Sequence, residues 1–150
     1  MGIIALAERQ TRGKGKGNNC WYSPQGGLWF SFLIDSLPLE KRVEIPVMIV
    51  KNVKSMLSDF GIESSFKRPN DLLVNKKKIS GTLIETYEEF CIVGVGINVN
   101  NDIENMPKDV AEKSIAMKNL VSVEIKIEKV FVNLMKKIEI SLKRKLPVRN

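Results

Sequence analysis

Histidine is absent from all 150 residues, and the only cysteines, Cys20 and Cys91, stand far apart. The first absence excludes Ser–His and Cys–His nucleophiles, an imidazole general base and a histidine-ligated zinc. The second leaves too few thiolates for a zinc site and predicts a reducing compartment, hence a cytoplasmic protein. No apolar run approaches the roughly 18 residues that span a bilayer, so no membrane partner is expected. The opening stretch Ile3–Ala7 has no basic flank and is too short for a secretory signal. Internal repeats and low-complexity linkers are missing too, and with 43% hydrophobic and 27% charged residues the composition predicts one globular domain over residues 1–150.

Positive charge is in surplus: 24 lysines and arginines face 17 acids, a net +7. Such a balance points toward anions. Solvated helix faces account for part of it, since Lys51, Lys54, Lys136 and Lys137 fall in stretches of helical periodicity. Chemistry must rest on lysine, arginine, carboxylates, amides and backbone dipoles. That set suits an anionic substrate, for which the work is positioning and charge neutralisation.

Periodicity gives the elements. Ile3–Ala7 is expected to be a short buried strand, followed by a glycine- and amide-rich loop over Arg9–Pro24. Leu28–Ile34 is rich in strand formers. Pro38 and Pro46 bracket a helix start; Val50, Val53, Leu57 and their neighbours recur at helical spacing, and Gly61 terminates the run. Ile62–Phe66 is expected as a strand, Lys67–Asp71 as a turn, and Leu72–Val74 with Ile79–Glu85 as a hairpin with a polar tip at Asn75–Lys78. Phe90–Val95 is another strand. A short helix is predicted over about Lys108–Met117 and a longer one from Ile127 to Lys143. The pattern predicts an α+β protein, a mixed sheet covered on one face by helices.

Three stretches carry chemistry. Gly13, Gly15 and Gly17 alternate with Lys14 and Lys16; glycines let backbone N–H groups turn inward around an anion, and the lysines add charge. A flexible basic surface loop is the plainer reading, but Trp21-Tyr22-Ser23-Pro24 provides an apolar anchor for a segment that closes over a ligand. Next, Lys67 at a strand end would project from a turn stiffened by Pro69; Asn70 and Asp71 are turn formers, or one of them helps hold a metal-bound phosphate. Finally, Gly81 in one strand and Gly94 and Gly96 in the next mark a close approach by a ligand, a bulge or another backbone. Asn98 either reads a base edge or caps a turn.

Taken together, Gln10–Lys16 with Trp21-x-Ser23-Pro24-x-Gly26-Gly27-Leu28 resembles the biotin-binding loop of the biotin–protein ligases. Lys67-Arg68-Pro69-Asn70-Asp71 is similar to their Lys-Trp-Pro-Asn-Asp motif, while Lys78–Gly81 and Gly94–Asn100 resemble the two strands lining their biotin and adenylate pockets. The motifs follow the family's order. The resemblance implies a class II synthetase-like catalytic fold, with biotin, ATP and Mg2+ as ligands and a biotin carboxyl carrier protein as partner. It implies biotin contacts at Gln10, Gly13, Lys14, Gly15, Lys16, Trp21, Lys67, Gly81, Gly94 and Gly96, and nucleotide contacts at Lys14, Lys16 and Asn98. Lys67 and Lys16 would be the catalytic pair, with no protein-held metal site. Lysines stand at 14 and 16 where the family usually has arginine, Asn19 where a further arginine is common, and Arg68 in place of the tryptophan.

The resemblance also implies a chain starting after the family's Ser/Thr-Thr-Asn segment and ending before its small β-barrel domain, with no winged helix and no DNA partner. A homodimer or a complementing amino-terminal chain would then be a further partner. Competing readings are a remnant that binds biotin or the carrier without catalysis, a lipoate ligase, and a basic nucleic-acid-binding module.

Overall fold

Alternation builds the centre of the sheet. In the strand Leu28–Asp35 (β2) the even positions Leu28, Phe30, Phe32 and Ile34 enter the core, while Trp29 and Ser31 face the other way. The computed structural model describes residues 2–35 and 39–145; the helix-start proline Pro38 lies outside them. Within these residues, β1 (Ile4–Ala7), β2, β3 (Ser65–Lys67), β4 (Asp71–Val74), β5 (Lys77–Thr86) and β6 (Phe90–Ile97) form a six-stranded sheet in the order β1-β2-β6-β5-β4-β3. Every neighbouring pair is antiparallel. Among the described residues the one parallel pairing is an isolated bridge between Lys78 and Ser114.

Two long helices cover one face. After the single turn α1 (Leu39–Arg42), α2 runs Ile45–Asp59 with Pro46 in its first turn. It ends where the sequence predicts: Gly61 has φ +77°, its N–H donates to Ser58 O, and the Ile62 N–H donates to Leu57 O. That paired closure satisfies the last carbonyls and seats Ile62 in the core. Beyond a 3₁₀ turn at Ile103–Asn105 and the one-turn helices α3 (Lys108–Ala111) and α4 (Lys118–Val121), helix α5 spans Ile127–Lys145. Its buried stripe Val130, Leu134, Ile138, Leu142 has the expected helical spacing, and Phe131 meets Phe30 edge-on at 5.3 Å. Among the described residues no helix is long and apolar enough to cross a membrane.

Four local expectations are corrected. The first strand forms but is not buried: Ile3, Ile4 and Leu6 are 76%, 41% and 60% exposed, because β1 is the outermost strand and has only β2 beside it. The third strand begins at Ser65 rather than Ile62 and is exposed throughout. The β4–β5 tip is shorter than expected; Asn75 and Lys76, both at positive φ, make the whole turn, and Lys77 and Lys78 belong to β5. The helix predicted at Lys108–Met117 stops after one turn, since Lys113 O accepts from Lys78 N and Ile115 N donates to Lys78 O. Extended pairing with β5 displaces the helix there.

Candidate functional site

The glycine-rich segment is an ordered arm rather than a loose loop. Gln10 N donates to Ser23 O at 3.0 Å, Trp21 N to Gly13 O at 2.9 Å and Gly15 N to Asn19 O at 2.8 Å, and the Ser23 hydroxyl donates to Gln10 Oε1 at 2.7 Å. Two extended runs thus fold back on each other through a turn at Lys16–Asn19. The backbone approach is so close at Gly13 that a β-carbon there would lie 2.3 Å from Trp21 O. Period-two geometry then explains the sequence: Arg12, Lys14 and Lys16 alternate with glycines and all line one cavity. Gly13 serves the arm's fold, and Gly15 joins the cavity wall.

That cavity, about 490 Å3, lies on the sheet face away from α2 and α5. Its floor is made by Gly81, Gly94, Gly96 and Ser31, and Gly81 pairs directly with Gly96 across β5 and β6. The Trp21 indole lies on this pair: β-carbons at Gly96 and Gly81 would meet it at 2.5 and 3.0 Å. Open floor remains at Gly94, where a β-carbon would touch nothing nearer than Ser31 Oγ at 3.6 Å. The aromatic anchor expected of the segment is therefore itself part of the pocket. Trp21 also stands edge-on to the buried Trp29 at 6.2 Å. Its Nε1 is buried and has no hydrogen-bond partner, a donor that a ligand acceptor atom would satisfy.

Lys14, Lys16 and Lys67, expected to converge, do line this one cavity together with Gln10 and Trp21. Lys67 comes from the end of β3, and the following turn, with its cis Arg68–Pro69 bond, is pinned to β5: Thr82 N donates to Asn70 O at 3.1 Å and Asn70 Nδ2 donates to Thr82 O.

Sequence reasoning placed Lys78 in a pocket-lining motif but gave it no role. Strict alternation back from Gly81 would put Lys78 on the helix-covered face. Instead a register shift leaves Leu72 opposite Ser80 but Leu73 opposite Lys78, so Ile79 and Ser80 are both buried. The bulge turns Lys78 onto the cavity side, where its ammonium lies 2.8 Å from Asp71 Oδ1 and 4.7 Å from the Trp21 ring centroid. The sequence signal for the bulge itself was Gly81, since glycine inside a strand marks bulges.

A second cavity of about 470 Å3 adjoins the first. Asn19, Cys20, Trp21 and Lys78 line both, while Asn98, Asp109, Lys113 and Ser114 belong to the second alone. Asn98 is buried. Its Nδ2 donates to Lys78 O at 3.4 Å and its Oδ1 accepts from Asn101 Nδ2 at 3.0 Å, so its amide holds the cavity wall together. Chemically, the arrangement is a cationic, glycine-floored cleft in two compartments whose shared wall carries an amine and an indole. It can hold a flat ligand beside an anionic one and neutralise charge where they meet.

Comparison with known proteins agrees with this geometry. Residues 1–102 match the family model described as Biotin/lipoate A/B protein ligase family. The bifunctional ligase/repressor BirA of Bacillus spizizenii is 35% identical over 121 residues, covering 73% of this chain and 37% of that protein. The human biotin–protein ligase is 37% identical over 117 residues, 67% of this chain and 16% of its own length. A biotin protein ligase from Aquifex aeolicus, solved in complex with biotin and ATP, superposes with a TM-score of 0.86 at 32% identity over 95% of this chain and 61% of that one. The chain thus spans well under half the length of the curated relatives it matches, while the expected catalytic-domain fold is present.

Proposed function

The chain belongs to the biotin/lipoate A/B protein ligase family, and from that premise we propose that residues 1–150 act as a biotin–protein ligase catalytic domain. One observation carries this reading above the others: two cavities meet at a single wall, which Trp21 and Lys78 form together with Asn19 and Cys20. The flat glycine floor of the larger receives biotin, and the nucleotide spans the shared wall, its phosphates toward the lysines of the larger cavity and its nucleoside in the smaller.

In the first step a biotin carboxylate oxygen attacks the α-phosphorus of ATP. The new O–P bond replaces the bond to the β-phosphate, and pyrophosphate leaves with that electron pair. In the second, the ε-amine of a carrier-protein lysine attacks the acyl carbon of biotinyl-5′-AMP; an amide forms, AMP departs with the C–O electrons, and the amine loses a proton. Gln10, Trp21 and the floor at Gly94 enclose biotin, and the unpartnered Trp21 Nε1 donates to one of its acceptor oxygens. Lys67 and Lys78 face the carboxyl–phosphate junction, where negative charge develops, and Lys14 and Lys16 hold the adenylate beneath the arm. Asn98 lines the nucleotide side through the wall it braces. Among the described residues no group of three or more His, Cys, Asp and Glu side chains could hold a metal. Mg2+ would arrive on the phosphates, with Asp71 and Glu85 as the carboxylates of the lining.

Exchange of labelled pyrophosphate into ATP tests the reading. Exchange is expected only when biotin and Mg2+ are both present. Exchange without biotin, or the absence of exchange while biotin binds, rejects it, and the second outcome would make this a binding protein.

A further inference from the structure

The smaller cavity holds a negative charge that a site for a polyanion does not by itself explain. Asp109 is the only carboxylate among its lining residues. It is exposed, and its side chain has no hydrogen-bond or ion-pair partner among the described residues. Lys113, about one turn further on, lines the same cavity without pairing to it. Left alone, such a carboxylate would only repel phosphate. Its base is nevertheless firmly held. Met106 and Val110, which flank it, pack with Ile103 and Ala116 in a small core of their own. Past the turn, Lys113 O accepts from Lys78 N at 2.7 Å, and Ile115 N donates to Lys78 O at 3.0 Å. The shoulder that carries Asp109 is thus fastened to the backbone of the lysine in the shared wall.

The residues of this shoulder divide by depth. Met106 is buried and Val110 half-buried, whereas Asp109 and Lys113 are exposed. A nucleoside divides in the same way, into a flat apolar base and a sugar with two adjacent hydroxyls. We propose that Asp109 reads the sugar: at the mouth of the cavity it accepts hydrogen bonds from the 2′- and 3′-hydroxyls of a ribose, while the base lies against Met106 and Val110. This rests on the ligase reading and deepens it, from a nucleotide to a ribonucleotide. A carboxylate has two oxygens for two neighbouring donors, and a hydroxyl–carboxylate bond is about twice as strong as one between neutral groups. Lys78 and Lys113 can only donate, and the Asn98 amide is committed to Lys78 O and Asn101. The phosphates lie across the wall, toward the other lysines, so their repulsion of Asp109 is the smaller effect. Acidic side chains hold ribose hydroxyls by the same chemistry in dinucleotide-binding folds.

Calorimetric titration of the full chain with ATP, 2′-deoxy-ATP and 3′-deoxy-ATP, without biotin so that nothing turns over, tests the assignment. The wild type is expected to hold ATP about tenfold more tightly than either deoxy form. In Asp109→Ala that preference should vanish, ATP falling to the deoxy level while the deoxy forms bind as before. Asp109→Asn should restore part of it, because the amide oxygen still accepts from one hydroxyl. In biotin-dependent exchange, Asp109→Ala should raise the KM for ATP and leave kcat unchanged. An equal loss for all three nucleotides would mean a structural role for Asp109 and overturn the proposal. So would full preference for ATP in Asp109→Ala, or a wild type that binds none of the three or does not tell them apart. Sugar discrimination without any biotin-dependent exchange would sink the ligase reading and leave the subsite standing. Normal exchange with equal KM for ATP and 2′-deoxy-ATP would do the reverse.

Discussion

The same strands present two unlike faces. Toward α2 and α5 they offer Phe30, Phe32, Val93, Val95 and Ile97, all nearly inaccessible. One residue along, on the reverse, they offer Ser31, Gly94, Gly96 and Gly81, covered by the arm and a cavity. Pleating alone assigns each residue to its side. The difference teaches that stability and ligand capacity are written at alternate positions of the same segments, so each can be damaged with limited harm to the other.

That separation can be attacked from either side. On the helix-covered side, Leu134→Ala should cost about 2–5 kcal/mol, read from the urea midpoint, because Leu134 is wholly buried between α5 and the sheet. A cost below about 1 kcal/mol would mean that α5 does not complete the core. On the cavity side, Lys78→Met should lower the biotin-dependent exchange rate about 10²-fold or more with little change in midpoint. Lys67→Ala should have the smaller effect of the two, since Lys67 is the more exposed. The opposite ranking would show that the bulge does not aim Lys78 at the reaction.

Gly96→Ala probes the boundary between the faces. Its β-carbon would lie 2.5 Å from Trp21 Nε1, so the indole must leave, at about 1–3 kcal/mol. The chain has two tryptophans and Trp29 is buried, so a red-shifted emission reports Trp21. An unshifted spectrum would place the indole elsewhere. The smallest effect concerns Asp59 at the end of α2. Hydrogen bonds from Lys137 and then Asn133 on α5 hold its carboxyl below the ordinary 3.8. A depressed folded-state value stabilises above the unfolded one, and that support fades as pH falls through the folded value. Asp59→Asn should therefore melt slightly lower than the wild type near pH 7, with the gap closing toward pH 3.

Legibility in the sequence followed the range of the forces involved. Helices α2 and α5 and strand β2 could be read because burial on one stripe or one side repeats locally. Gly61 was legible as a terminator because only a left-handed position demands it. The exposure of β1 was not, since strand order joins residues far apart in the chain and nothing in Ile3–Ala7 says that it lies at an edge. Among the site residues, Lys14, Lys16 and Lys67 were found through charge and motif spacing. Lys78 stood in a quoted motif without a role because a bulge reverses the parity on which reading a strand depends, and for its partner Asp71 a turn-forming and a phosphate-site reading were both open.

The alternation of the arm has a consequence for how this site can change. Because Arg12, Lys14 and Lys16 share a side only through pleating, a single residue inserted between Gly13 and Lys14 would send the two ammonium groups outward and turn glycines toward the cleft in their place. Net charge and isoelectric point would be the same. A relative with an arm of odd extra length would therefore keep every cation of this one and still lose the arm's charge from its cleft.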